Sequence, residues 1–124
     1  MANIEVIDTG GPKAGPYSLG IKAGNLIFIS GQVTDPGAEF IKEQTLSALN
    51  KIKKILEAAG AGVSDIVKTT IYLKDISDFN EMNKTYKDFF MQNGVEEKFP
   101  ARTTVKAACP LPAGLIEIDA IAVH

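Results

Sequence analysis

At 124 residues the chain has the length of one domain, and 45% apolar residues with a mean hydropathy of +0.06 supply a single core with apolar surface to spare. Thirteen basic against 15 acidic residues leave a net charge of −2, so no overall basic field is present to hold a phosphate backbone, which argues against a nucleic-acid partner. One cysteine cannot form an internal disulfide, and no stretch has the length and apolarity of a signal or membrane-spanning segment, so the expectation is a cytoplasmic protein without a membrane partner.

Residues 4 to 9 alternate like a short edge strand, and Gly10-Gly11-Pro12 through Gly15-Pro16 then break regular structure just before Tyr17. Residues 18 to 22 and 26 to 30 read as a hairpin about Ala23-Gly24-Asn25, the second strand ending in Ser30-Gly31-Gln32. Ile41, Thr45, Ala48, Leu49, Ile52, Leu56 and Ala59 recur at helical spacing, with Lys51, Lys53, Lys54 and Glu57 facing away and Gly60 and Gly62 as the stop. Alternation resumes from Ile66 to Lys74, placing Val67, Thr69, Ile71 and Leu73 on one side. Asp78 followed by Glu81 has the spacing of a capping box for a second helix, whose stripe is Phe79, Met82, Asn83, Tyr86, Phe89 and Phe90. Asn83 is the odd member, an amide among aromatic residues. Residues 99 to 109 and 115 to 123 read as a final hairpin turning through Pro110 to Gly114.

The order βββ-α-β-α-ββ predicts a single α+β domain over residues 1–124: a mostly antiparallel six-stranded sheet with two helices on one face. The uncovered face, together with the apolar surplus, predicts an oligomer.

Metal chemistry is disfavoured, because the single histidine is His124, the single thiol is Cys109, and no carboxylates have ion-loop spacing. Without an internal histidine there is no Ser-His-acid nucleophile, and Cys109, in a proline-flanked turn, reads as structural. Two residues of the final strands stand out. Arg102 is either an ordinary surface cation or a clamp whose planar fork grips a carboxylate. Glu117, set among Leu115, Ile116, Ile118 and Ile121, is either paired with a lysine or a desolvated carboxylate with the raised pKa of a base acting on water. Asp119 reads as a solvated or ion-paired neighbour. In a hairpin centred near Pro112, Arg102 lies opposite Ala122 and Glu117 opposite Ala107, about 16 Å apart along the strands. One small ligand then needs each residue from a different subunit.

At these residues the sequence resembles the RidA family, also called YjgF or L-PSP, over nearly the whole chain. The matching pieces are Gly15-Pro16-Tyr17, residues 26–32 ending in Ser-Gly-Gln, Glu57-Ala-Ala-Gly60, residues 65–70, Asn83-Lys-Thr-Tyr86 with Phe89-Phe90, Phe99-Pro-Ala-Arg-Thr103, and residues 116–123. The resemblance implies a chorismate-mutase-like fold, a homotrimer with sites between subunits, and hydrolysis of 2-imino acids to 2-keto acids and ammonia without a cofactor. It casts Arg102 as the carboxylate clamp, Glu117 as the residue that positions or activates water, and Tyr17, Ser30, Gly31 and Asn83 as pocket residues. Thr104 stands where the family often has cysteine, so a role there falls to its hydroxyl or backbone. Two further readings stay open: a protein that holds a keto acid in the same cleft without turnover, and, ranked last, the ribonuclease activity attached to the L-PSP name.

Overall fold

The computed structural model describes residues 3–124. Gly24, at φ 62°, turns the chain between strands β2 (Gly20–Ala23) and β3 (Leu26–Val33), which pair antiparallel. Strand β1 (Ile4–Ile7) lies antiparallel along the outer side of β2. Helix α1 (Ile41–Ala58) and strand β4 (Ile66–Leu73) follow, then helix α2 (Phe79–Gln92) and strands β5 (Ala101–Lys106) and β6 (Ile116–Val123). The strands form one sheet in the order β1-β2-β3-β6-β4-β5, in which only β4 and β5 run parallel as neighbours. This is the α+β arrangement expected from the order of elements, with both helices over one face.

The final hairpin is not formed. β5 pairs with β4 alone, and β6 inserts between β3 and β4, antiparallel to both. Burial explains the choice of partners. Ile116, Ile118, Ala120 and Ala122 of β6 are at most 2% exposed, so this strand occupies the centre, where both its edges are satisfied. The exposed Thr103, Val105 and Lys106 make β5 the better edge. Arg102 therefore lies level with Thr69, and Glu117 between Val33 and Tyr72. Neither faces the partner that a hairpin would supply.

Two local expectations also change. A bulge between Ile66 and Lys68 turns Val67 out to 46% exposure, so Ile66 joins Thr69, Ile71 and Leu73 on the helix side. Asp78 makes no side-chain cap to α2; instead Asp75 Oδ1 accepts from the Ser77 amide (2.9 Å) in a 3-10 turn that precedes the helix. Asp75 is better placed because its extended backbone leaves the side chain free to reach forward two residues.

The core lies between the helices and the covered sheet face, and among its buried polar side chains Gln44 is the most enclosed of the long ones described. Gln44 of α1, 1% exposed, donates to the carbonyls of Ala38 (3.2 Å) and Ala113 (3.0 Å) and accepts from the Leu115 amide (2.7 Å). It ties the loop before α1 to the loop before β6, and its amide is fully used.

Candidate active site

β5 alternates, so Arg102 and Thr104 point toward α2 while Thr103 and Val105 face the other way. The Arg102 guanidinium donates to Asn83 Oδ1 at 2.6 Å and lies 4.9 Å from the Tyr86 ring centre and 5.7 Å from that of Phe79. Tyr86 is itself locked, its hydroxyl 2.8 Å from that of Thr69, and burial raises its pKa. The helical spacing of Phe79, Asn83 and Tyr86 thus builds one wall around the cation. Among the described residues no carboxylate lies within ion-pair distance of Arg102. The guanidinium borders a cleft of about 410 Å³ with Lys87, Phe99 and Pro100. A partly buried arginine held by a neutral amide and two rings retains its charge for an anion.

The alternation of β6 sends Glu117 the other way, to the face the helices leave uncovered. There Gly31 lies directly against it. A Cβ built on Gly31 would collide with Glu117 Oε2 and stand 2.8 Å from its Cδ, so a side chain at position 31 excludes the carboxylate from its present place. Burial raises the Glu117 pKa from its ordinary value, and the Asp119 charge adds to the effect. Ser30 Oγ donates to the Ser18 carbonyl at 2.6 Å, bracing β3 at the irregularity between Ile29 and Gln32. The Tyr17 hydroxyl accepts from the Ala14 amide at 3.1 Å, and the residue is exposed. Tyr17 and Gly31 line a second cleft, of about 520 Å³, whose other walls include Val33, Ala38, Leu111 and Pro112.

The seven residues singled out from the sequence thus form two groups. Arg102, Asn83 and Thr104 belong to the covered face near α2; Glu117 lies on the uncovered one with Gly31 against it, Ser30 precedes Gly31 on β3, and Tyr17 joins them through the cleft it shares with Gly31. The Thr104 hydroxyl is buried without a hydrogen-bond partner. The sequence pattern does not mark Phe79 and Tyr86 as supports of Arg102, Gln44 as a loop tie, or Tyr72 as the partner of Asp119. Asp119 is neither solvated nor ion-paired: it is half-buried and accepts from the Tyr72 hydroxyl at 3.1 Å. An aromatic residue four positions before an amide and another three after it, as in Phe79, Asn83 and Tyr86, is the available signal for the first pair. Among the described residues no three His, Cys, Asp or Glu side chains are grouped to hold a metal ion, and no helix is long and apolar enough to cross a membrane.

The family model described as Endoribonuclease L-PSP matches residues 11–124. The chain belongs to this family. A RutC family protein of Pyrococcus horikoshii is 47% identical over 114 residues, covering 87% of this chain and 86% of its own. A Salmonella typhimurium protein named 2-iminobutanoate/2-iminopropanoate deaminase is 44% identical over 116 residues, covering 89% of this L-PSP-family chain and 88% of its own. The crystal structure of the YjgF gene product of Escherichia coli superposes with a TM-score of 0.89 at 39% identity, covering 97% of this chain and 98% of that one. The family descriptions thus include both deaminase and endoribonuclease names.

Proposed function

We propose that this L-PSP-family protein hydrolyses small 2-imino acids to 2-keto acids and ammonia without a cofactor. The observation that carries the reading is Arg102: a partly buried guanidinium at a cleft wall, oriented by Asn83 and without an acid partner among the described residues, suits a bidentate grip on a substrate carboxylate. The 44% identical relative named as a deaminase supports the same chemistry.

Glu117 supplies the second half of the reaction. Its carboxylate takes a proton from water as the oxygen bonds to the imine carbon, converting C=N to a C–N single bond in a tetrahedral aminol. That proton passes to nitrogen; the carboxylate then takes the remaining hydroxyl proton and delivers it to nitrogen as the C–N bond breaks, so ammonia leaves carrying both protons of the water and the C=O of the keto acid forms. A carboxylate whose pKa burial raises holds a proton more readily than an exposed one, which suits it to both transfers. Tyr17 and Gly31 shape the second cleft, and Ser30 braces β3 beside Gly31.

Within one chain the two halves cannot meet on a small ligand. Arg102 and Glu117 leave opposite faces of the sheet, with β4 between their strands and three register positions between their levels, about 10 Å in each direction. We therefore propose a closed homotrimer in which Arg102 of one subunit and Glu117 of the next complete each site. The apolar uncovered face, with Val6 at 67% and Phe28 at 42% exposure, is the surface such an assembly buries.

The test generates 2-iminobutanoate in situ with an upstream dehydratase and follows its loss. Wild type accelerates the loss; Arg102→Ala and Glu117→Ala do not. No acceleration by the wild type overturns the reading, and saturable keto-acid binding without turnover replaces it with a binding function.

A further inference from the structure

Two acids share one small patch of the uncovered face. Glu117 and Asp119 are two residues apart on β6, so their side chains point the same way from Cα atoms about 7 Å apart. Such a pair at a half-buried site ordinarily recruits a cation. Here, among the described residues, neither acid is within ion-pair distance of a lysine or arginine. The other groups on this face are accounted for. From β3, uncharged Val33 lies opposite Glu117 and Gly31 packs on its carboxylate. From β4, Lys68 donates to the Thr103 hydroxyl at 2.7 Å, Thr70 lies level with Asp119, and Tyr72 lies level with Glu117 but sends its hydroxyl diagonally to Asp119 Oδ2. Tyr17, on the same side of the pocket, has its hydroxyl on the Ala14 amide.

Tyr72 thus does two things at once. By donating to Asp119 Oδ2 it holds that side chain in one orientation beside Glu117. It also leaves Glu117 without a donor of its own from β4, so the two carboxylates have different surroundings. Pairs of like groups with unequal hydrogen bonding divide their protonation: one stays ionised and the other becomes the proton carrier. Burial raises Glu117 in the same direction as the Asp119 charge, and Tyr72 is itself pushed up by burial and by Asp119.

We propose that Asp119, held by the Tyr72 hydroxyl, is a positioning residue that acts through Glu117, keeping a second carboxylate fixed beside it on the same face. Asp119 itself touches no substrate. This rests on the reading of Glu117 as the residue that handles water, and its own test does not need turnover.

The test follows the Glu117 side-chain carboxyl by carbon NMR across a pH titration of the full chain, with Glu117→Gln assigning the signal. In the wild type the Glu117 curve has two steps, because ionisation of Asp119 moves the same resonance. Asp119→Asn makes the curve single and shifts its midpoint to lower pH; Asp119→Glu keeps both steps. With imine substrate, Asp119→Asn moves the acid limb of kcat/KM to lower pH and lowers its plateau roughly three- to tenfold, whereas a purely structural loss lowers the plateau and leaves the limb in place. A single-step wild-type curve, or an Asp119→Asn midpoint equal to that of the wild type, overturns the proposal. The carboxyl titration holds even if imine loss is never accelerated, so failure of the deaminase reading is seen separately.

Discussion

Arg102 and Glu117 leave the same sheet through opposite faces, Arg102 into the aromatic wall of α2 and Glu117 onto the side the helices leave bare. If adjacent copies complete each site, the two halves can be supplied by different defective chains. Arg102→Ala and Glu117→Ala homomers should each be inactive. When the two are unfolded together and refolded as mixed trimers, about a quarter of the interfaces receive both intact residues by random assortment. Imine hydrolysis should return to about a quarter of the wild-type rate; no recovery from properly refolded mixtures would refute the shared site.

Asn83 orients the cation through a short charge-assisted hydrogen bond, an interaction of about 1.5–3 kcal/mol. Asn83→Ala frees the guanidinium to sample other rotamers. The expected result is a KM raised roughly tenfold or more, with a melting temperature close to that of the wild type. Asn83→Asp should weaken binding further, since an acid there pairs with Arg102 and competes with the substrate anion.

Gly31 tests the other half. Alanine at this position meets the end of the Glu117 side chain, which is free to swing aside, so the fold survives and the carboxylate moves. We expect kcat reduced at least tenfold with an unchanged far-ultraviolet spectrum. A fully active Gly31→Ala variant would show that the position of Glu117 is immaterial.

The raised pKa of Glu117 has a stability counterpart. The folded chain binds this proton more tightly than the unfolded chain, so the associated stability is present below the ordinary carboxylate range and is lost as pH rises through the raised folded value. Glu117→Gln carries no charge at any pH and escapes that loss. It should melt higher than the wild type at neutral pH, and the difference should vanish below about pH 4, as thermal unfolding at the two pH values will show.

Much of this architecture is legible in the residue pattern, because periodicity reports which face of an element is buried. The stripe of α1 and the alternation of β4 and β6 follow from it. Partner choice does not. Two alternating segments joined by Pro110-Leu-Pro-Ala-Gly114 look like a hairpin, yet the pairing of β6 is decided by its burial on both edges, a competition among all the strands. The separation of Arg102 from Glu117 was anticipated from a register that does not exist; its actual cause is that they occupy opposite faces. Gln44 was missed for a related reason. A glutamine on a helix reads as solvent-facing, and only the two loops that converge on it make its burial favourable.

The place of β6 also governs the order in which the molecule can be assembled. β3 and β4 run alongside each other with a strand-wide gap between them, and the residues that fill it are made only after α1, β4, α2 and β5. Until Ile116–Val123 emerges, the facing backbone edges of β3 and β4 are open, and the helices have only a divided platform to cover. Helices α1 and α2 can form locally and pack against each other, but the sheet closes by distant pairing, a slow and late event in folding. During synthesis the nascent chain therefore passes through a stage with two unpaired edges, when it is most open to strand exchange with other chains and to capture by chaperones.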